Sequence, residues 1–293
     1  MLDFAGAATW LLVATAGATA LVMLAIAGVR VVTTLRRRRG SRAHRTAMEL
    51  VLRITDGEAV PVPTTRRLAD ALALAAAETV HKVRGADRQA LADWLVEAGF
   101  QDSALELMSA RRATRRARGI ELYLAATSGA APGPVVPMLR DPHPGVRAAA
   151  VRALGASGAR DAVPALVAAI GARRRPISAS AATMAIVDAA PSSSASLDAA
   201  WRSDDPRIRR IAADISGCLE LADARAELER ALTARDVRLR THAALALGRI
   251  GSPSSIWALR TALRDADPRS PEAHALRGAI TAVQATPGDE AGG

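Results

Sequence analysis

The sequence is poor in aromatic residues and in cysteine. Aromatic side chains make up 2% of the 293 residues, and Cys218 is the single cysteine. Alternating runs of β-branched and aromatic residues between Asn-Gly turns, which are typical of strands, do not occur in the sequence. These shortages argue against a sheet-based fold and exclude an internal disulfide.

Sequence signals for chemistry are also scarce. No Cys/His spacing suggests zinc, so we expect Cys218 to be a small core residue. None of the five histidines stands next to glutamate, and no glycine-rich phosphate loop precedes a helix. The sequence therefore predicts no catalytic residue, no metal and no cofactor, and we expect that the protein is not an enzyme.

Small and unbranched apolar residues dominate what is present. Half of the residues are apolar, and most of these are Ala, Leu, Val and Ile, which favours closely packed helices. The formal net charge is +10. A basic balance favours anionic lipid, nucleic acid or an acidic protein face as partner. The composition therefore predicts an all-α fold with an acidic partner.

The first 30 residues contain a long uncharged stretch. No charged residue occurs from Phe4 to Val29, and arginines follow it. This pattern predicts one N-terminal transmembrane helix, with the N-terminus outside and the rest in the cytoplasm. A cleaved signal peptide is the alternative, but the stretch is too long and lacks a basic n-region. The expected membrane flank consists of Trp10, Arg30, Arg36, Arg37, Arg38 and Arg39.

An internal repeat of 31 residues runs from Met108 to Leu263. One apolar column comprises Met108, Leu139, Ile170, Trp201, Leu232 and Leu263. A second comprises Val135, Leu166, Leu197, Leu228 and Leu259, and a column of small residues comprises Gly119, Ala150, Ala181, Ala212 and Ala243. The columns predict stacked helix pairs, with close helix contacts at the small residues.

The repeat unit resembles a known family. Its clearest copy has Asp141, Pro144, Val146, Arg147, Ala150, Leu154 and Gly155. These residues resemble HEAT repeats, in particular the short kind also found in bilin lyases, and the resemblance covers roughly residues 105 to 285. The unit around Ser178 departs from the pattern because the arginine and the Leu-Gly end are missing. The resemblance implies an α-solenoid of HEAT-like helix pairs.

The predicted layout has five segments. Two helical segments join the anchor to the solenoid. The whole layout resembles that of bacterial membrane-anchored HEAT proteins. In order, we expect an anchor (1–32), a basic juxtamembrane segment with a first helix (33–63), a helical cap (64–104), the solenoid (105–285) and a disordered tail (286–293).

Charged residues recur in register within the repeat. They are Asp141, Arg147, Asp205, Arg209, Asp236 and Arg240. An Asp at a helix start caps free amides, and an Asp–Arg pair four residues apart adds a few tenths of a kcal/mol. We therefore interpret this set as a structural ladder like that of HEAT families and not as a binding site.

A dense basic cluster precedes the first clear repeat. It comprises Arg111, Arg112, Arg115, Arg116 and Arg118. Two interpretations stay open: a solvated helix face, or a patch that docks to an acidic lipid or an acidic partner.

The functional hypothesis is a membrane-tethered scaffold that binds a protein partner at the cytoplasmic membrane face. By family analogy, that partner would be a membrane enzyme. The alternatives are nucleic-acid or anionic-lipid binding through the arginine-rich surface, and a lyase-type HEAT enzyme. The scarcity of aromatic stacking platforms argues against nucleic acid. The partner's identity and the oligomeric state stay open.

Overall fold

The structure is a computed structural model that describes residues 42–172 and 174–285. Within these ranges the chain is helical and contains no strand, which confirms the predicted all-α class. The predicted anchor (1–32) and the predicted tail (286–293) lie outside the described residues, as do Trp10, Arg30 and Arg36 to Arg39 of the predicted membrane flank.

The predicted membrane localisation has to be corrected. Among residues 42–172 and 174–285, no helix combines the length and the apolar character needed to cross a bilayer. This finding contradicts the single-pass localisation. The segment on which that prediction rested, from Phe4 to Val29, is not among the described residues.

The contacts divide the chain into two compact units between Ala76 and Ala77. This boundary falls inside the predicted helical cap. The first unit contains helix α1 (42–55), which buries Ala47, Val51 and Ile54 at helical spacing. The boundary between the two units lies within helix α2 (Arg66–Val80).

The second unit is built from twelve further α-helices within the described residues. They are α3 (Gly85–Glu97), α4 (Phe100–Met108), α5 (Ala113–Ala126), α6 (Pro144–Ala156), α7 (Val163–Ile170), α8 (Ala179–Ala189), α9 (Asp198–Trp201), α10 (Pro206–Cys218), α11 (Arg225–Ala231), α12 (Val237–Ile250), α13 (Ile256–Asp265) and α14 (Pro271–Ala285). Short 3₁₀ helices occupy Val136–Arg140, Arg160–Ala162, Ser194–Leu197, Ala222–Ala224 and Pro253–Ser255.

From α4 onward each pair has a shorter first helix and a longer second helix, and the 3₁₀ helix Val136–Arg140 is the first helix of the pair that contains α6. The second helices are α5, α6, α8, α10, α12 and α14. Polar side chains start several of them: His143, Asp205 and Asp236 each accept a hydrogen bond from a backbone N–H of the first turn. Proline follows two of these caps, at Pro144 and Pro206, where a missing N–H does no harm.

The buried columns explain why the pairs stack. Val135, Leu166, Leu197, Leu228 and Leu259 are all fully buried. In the small-residue column Ala150, Ala212 and Ala243 are fully buried, whereas Ala181 is exposed. Neither helix of a pair can bury its apolar stripe alone, so each unit depends on its neighbours.

Ala181 is exposed because α8 begins late. A 31-residue step from His143, the cap of α6, leads to residue 174, but α8 is capped by Ser178. Pro176 intervenes, and a proline disfavours helical backbone at the residue before it. Ala181 therefore lies in the first turn of its helix and not in the contact zone.

Successive second helices approach most closely at glycines. A Cβ atom added to Gly155 would lie 2.6 Å from the Cα of Ala185, and one added to Gly217 would lie 2.7 Å from that of Ala246. Gly248 faces Ala279 in the same way, at 2.9 Å. At the equivalent point of α8 the chain has Ile186, so the α8 unit lacks this contact.

Arg88 of α3 ties two second helices together at their C-terminal ends. Its Nη2 atom donates hydrogen bonds of 2.7 Å to the carbonyl oxygens of Ser128, after α5, and Ser157, after α6. A cation at these ends also interacts favourably with the helix dipoles.

We expect Gly155→Ala to destabilise the protein, by about 1–3 kcal/mol, because the new methyl group would overlap Ala185. Gly278→Ala is the matched control: Gly278 lies in α14 with nothing within 4 Å of an added Cβ. This change should stabilise by up to about 1 kcal/mol through helix propensity. Urea unfolding measures both, and equal effects would contradict the proposed close contact.

Candidate binding surfaces

A column of arginines supports the turns inside the helix pairs. Arg116, Arg147, Arg209 and Arg240 occupy the same repeat position. In three of them the Nη1 atom donates to the carbonyl oxygens five and six residues earlier. Arg147 bonds the carbonyls of Asp141 and Pro142 at 2.9 and 3.2 Å, and Arg116 and Arg240 do the same in their own units. These arginines therefore hold the turn that precedes their own helix.

Arg116 also reaches into the next unit. Its Nε and Nη2 atoms donate to the two carboxylate oxygens of Asp141 at 2.8 and 2.9 Å. The side chains of Arg116 and Asp141 are 14% and 5% exposed, and the His143 N–H donates to the same carboxylate. Burial alone would raise the pKa of Asp141, but the hydrogen bonds and positive charge of Arg116 and the His143 N–H bring it below the usual range.

Arg240 forms the corresponding pair at the other end of the stack. Its Nε and Nη2 atoms donate to the carboxylate of Glu272, at 2.5 and 2.8 Å, and thereby join α12 to α14. Glu272 is buried. Bidentate pairs of this kind fix the register between neighbouring units.

Two Asp members of the predicted ladder cap the helices that follow them. Asp205 and Asp236 accept hydrogen bonds from the N–H groups of Arg207 and Leu239, both at 2.8 Å. The hydrogen bond from Leu239 contributes most to lowering the pKa of Asp236. In the described part of the chain, the Nε atoms of Arg147 and Arg209 are buried without a hydrogen-bond partner.

The structure separates the five residues of the predicted basic cluster. Arg111, Arg112 and Arg115 are exposed, at the start of α5 and just before it. Arg116 is paired with Asp141, and Arg118 is half-buried. Three of the five arginines are therefore available to an anionic partner.

Cys218 does not behave as predicted. It is exposed at the end of α10, and the Nη1 atom of Arg249 lies 3.4 Å from its sulfur. The preceding residue, Gly217, packs on α12, and the next side chain along a helix points about 100° away. The residues that the structure describes contain no group of three His, Cys, Asp or Glu that could hold a metal.

A groove between the last two helix pairs was not predicted. It has a volume of about 860 Å³ and lies between α11, the start of α12, α13 and α14. Its lining includes Leu232, Thr233, Trp257, Ala258, Thr261 and Asp265. Trp257 is 76% exposed. A sequence signal existed: Trp257 precedes the buried Leu259 by two residues, which places it about 200° around the helix.

Internal contacts hold several of the charged residues that line the groove. Arg240 and Glu272, both in the lining, are the bidentate pair described above. Glu229 accepts hydrogen bonds from Arg225 at 3.0 Å and from Ser255 at 2.9 Å. Most lining charges are thus neutralised within the protein, and the indole of Trp257 and the exposed carboxylate of Asp265 face solvent.

Stacked helix pairs that repeat every 31 residues and share an arginine column define an α-helical repeat protein. The profile of the family described as HEAT repeats matches residues 111–187 and 193–278, which is more than half of the chain. The chain therefore belongs to the HEAT-repeat family, and the resemblance inferred from the sequence is confirmed.

Other comparisons add little. No curated protein matches the sequence. Among solved structures, the chain is similar to the complex of CpcE and CpcF of phycocyanin lyase from Nostoc sp. PCC7120. The similarity covers 77% of this chain and 98% of that chain, at 16% identity and a TM-score of 0.32. A similarity at this level carries no argument about function.

We expect Glu272→Ala to lower the free energy of unfolding by about 3 kcal/mol, because it removes one partner of a largely buried pair. Glu121→Ala is the control, since the Glu121–Arg152 pair also joins successive second helices but is 42% and 69% exposed. Its loss should stay below about 1 kcal/mol. Urea unfolding separates the two, and a similar loss in both variants would contradict the assigned role of Glu272.

The free energy of unfolding should also depend on pH through the carboxylate of Asp141. Its pKa is lowered in the folded state, so its contribution is complete above the ordinary value near 3.8 and is lost as pH falls through the folded pKa. The difference in unfolding free energy between the wild type and Asp141→Asn should shrink as pH falls from about 5 to about 2.5. A difference that stays constant over this range would show that the charge of Asp141 does not matter.

Proposed function

We propose that the chain is a protein-binding scaffold without catalytic activity and that its partner binds in the groove beside Trp257. The observation that carries this proposal is the 76% exposed indole on the wall of the groove. Exposed tryptophans in grooves are frequent anchors of protein interfaces, because they bury a large area with few rotatable bonds. Membership of the HEAT-repeat family supports the proposal, since stacked helix pairs present extended binding surfaces.

The chemistry of the groove supports a polypeptide as ligand. Leu232, Ala258 and Ala262 supply apolar surface, and the hydroxyls of Thr233 and Thr261 can pair with backbone groups of a partner. Arg240 and Glu272 neutralise each other and hold the walls in register. A partner segment would thus meet a rigid site that needs little ordering on binding.

The experiment has two stages. Affinity capture with the full-length chain from the source cells identifies candidate partners. A photo-crosslinking residue in place of Ser254, which is exposed and lines the groove, reports which of them contact it while Trp257 stays in place. Trp257→Ala should then weaken binding of the purified partner by about 2 kcal/mol or more, which raises the Kd roughly 30-fold.

Met184→Ala is the matched control, because Met184 is 61% exposed on α8, away from the groove. Its Kd should stay within about twofold of the wild type. Equal effects of the two substitutions would refute the groove as the binding site. Failure of the wild-type chain to enrich any protein would count against the scaffold function itself.

A further inference from the structure

The turns inside the first three clear helix pairs form an edge of the stack that carries only positive exposed charge. We define the basic edge as Arg111, Arg112, Arg115, Arg140, Arg174 and Arg175, all of which are exposed. Residues 109–118, 140–148 and 174–178 contain one acid, Asp141, which is buried. The three later turns differ, since they contain Asp204, Asp205, Asp236, Asp265 and Asp267.

Direct contacts show that these three turns lie side by side. The guanidinium of Arg116 bonds Asp141 across the first and second turns. The Nη1 atom of Arg175 donates to the carbonyl oxygen of Arg140, at 3.1 Å, across the second and third. The arginines of the three turns therefore line one continuous edge.

The single acid on this edge does not compensate its charge. Both carboxylate oxygens of Asp141 are bound, one by Arg116 alone and the other by Arg116 and the His143 N–H. That charge is balanced by Arg116, which is not part of the basic edge. The six edge arginines thus leave an uncompensated positive field on the surface.

We propose that the basic edge binds an acidic segment of a protein, at a site separate from the Trp257 groove. Guanidinium groups bind carboxylates through two parallel hydrogen bonds, and the described part of the chain already contains this geometry in Arg116–Asp141 and Arg240–Glu272. Arginines delivered from successive helix units, roughly 10 Å apart, suit a flexible acidic chain that runs along the edge.

A single-stranded nucleic acid fits this edge less well. The three turns contain no Phe, Tyr or Trp, so stacking platforms for bases are absent from them. Affinity for nucleic acid would then rest on charge alone, whereas the carboxylate geometry is already present in the fold. We therefore choose the acidic polypeptide as the ligand and make nucleic acid an outcome of the test.

The first measurement is fluorescence anisotropy of a labelled peptide of about 20 glutamates with the full-length chain, at about 50 mM and 300 mM salt. Binding should weaken at the higher salt. The variant R111E/R112E/R115E should raise the Kd at least about tenfold. The control R160E/R249E/R260E changes net charge equally at exposed arginines elsewhere and should stay within about threefold.

A second variant and a second readout locate the site independently. R140E/R174E alters the other two turns and should also weaken the peptide, with folding of every variant checked by circular dichroism. Modification of arginines by phenylglyoxal, read by mass spectrometry, should show that the peptide protects the basic edge. The proposal is overturned if both edge variants bind like the control, or if protection is confined to other arginines.

Two further probes test the choice of ligand. A single-stranded DNA of about 20 nucleotides and vesicles of phosphatidylglycerol are compared with the peptide at equal salt. Tighter binding of either probe at the same arginines would overturn the acidic polypeptide as ligand. Trp257→Ala should leave peptide binding unchanged, so failure at the edge and failure at the groove are distinguishable.

Discussion

The near contact between successive second helices is the constraint on which the rest of the second unit depends. At Gly155, Gly217 and Gly248 the backbone of one helix lies against an alanine of the next, with no room for a Cβ atom. This spacing lets the column from Val135 to Leu259 close completely. It also sets how far a guanidinium must extend to reach the carboxylate of the following unit.

Much of this architecture could be predicted from the sequence, because a repeat records the same contact several times. The period of 31 residues and the apolar columns correspond to the stacked pairs, and all five members from Val135 to Leu259 are buried. The departure expected around Ser178 appears as the late start of α8. The contacts that recur in every unit could therefore be predicted, because the same residue types recur at the same positions of the repeat.

The arginine–acid pairs between units were harder to predict from the sequence. The acidic partner follows its arginine by 25 residues in Arg116–Asp141 and by 32 residues in Arg240–Glu272, so no single sequence spacing identifies these pairs. Arg116 was assigned to the basic cluster because arginines surround it, although it lies 31 residues before Arg147 and so occupies the same repeat position. The exposure of Cys218 and of Trp257 depends on which helix faces are covered by neighbours, and residue type alone does not specify this.

The irregular α8 unit has a mechanical consequence. It has Ser178 where its neighbours have the column arginine and Ile186 where they have the packing glycine, so its junction with α10 is the least reinforced. In a one-dimensional array, cooperativity passes from unit to unit and weakens where an interface is poor. We therefore expect the array to unfold as two blocks, each with its own buried arginine–acid pair, and a bending force to open it between them. The basic edge lies on the first block and the Trp257 groove on the second, so two partners held at once could move relative to each other.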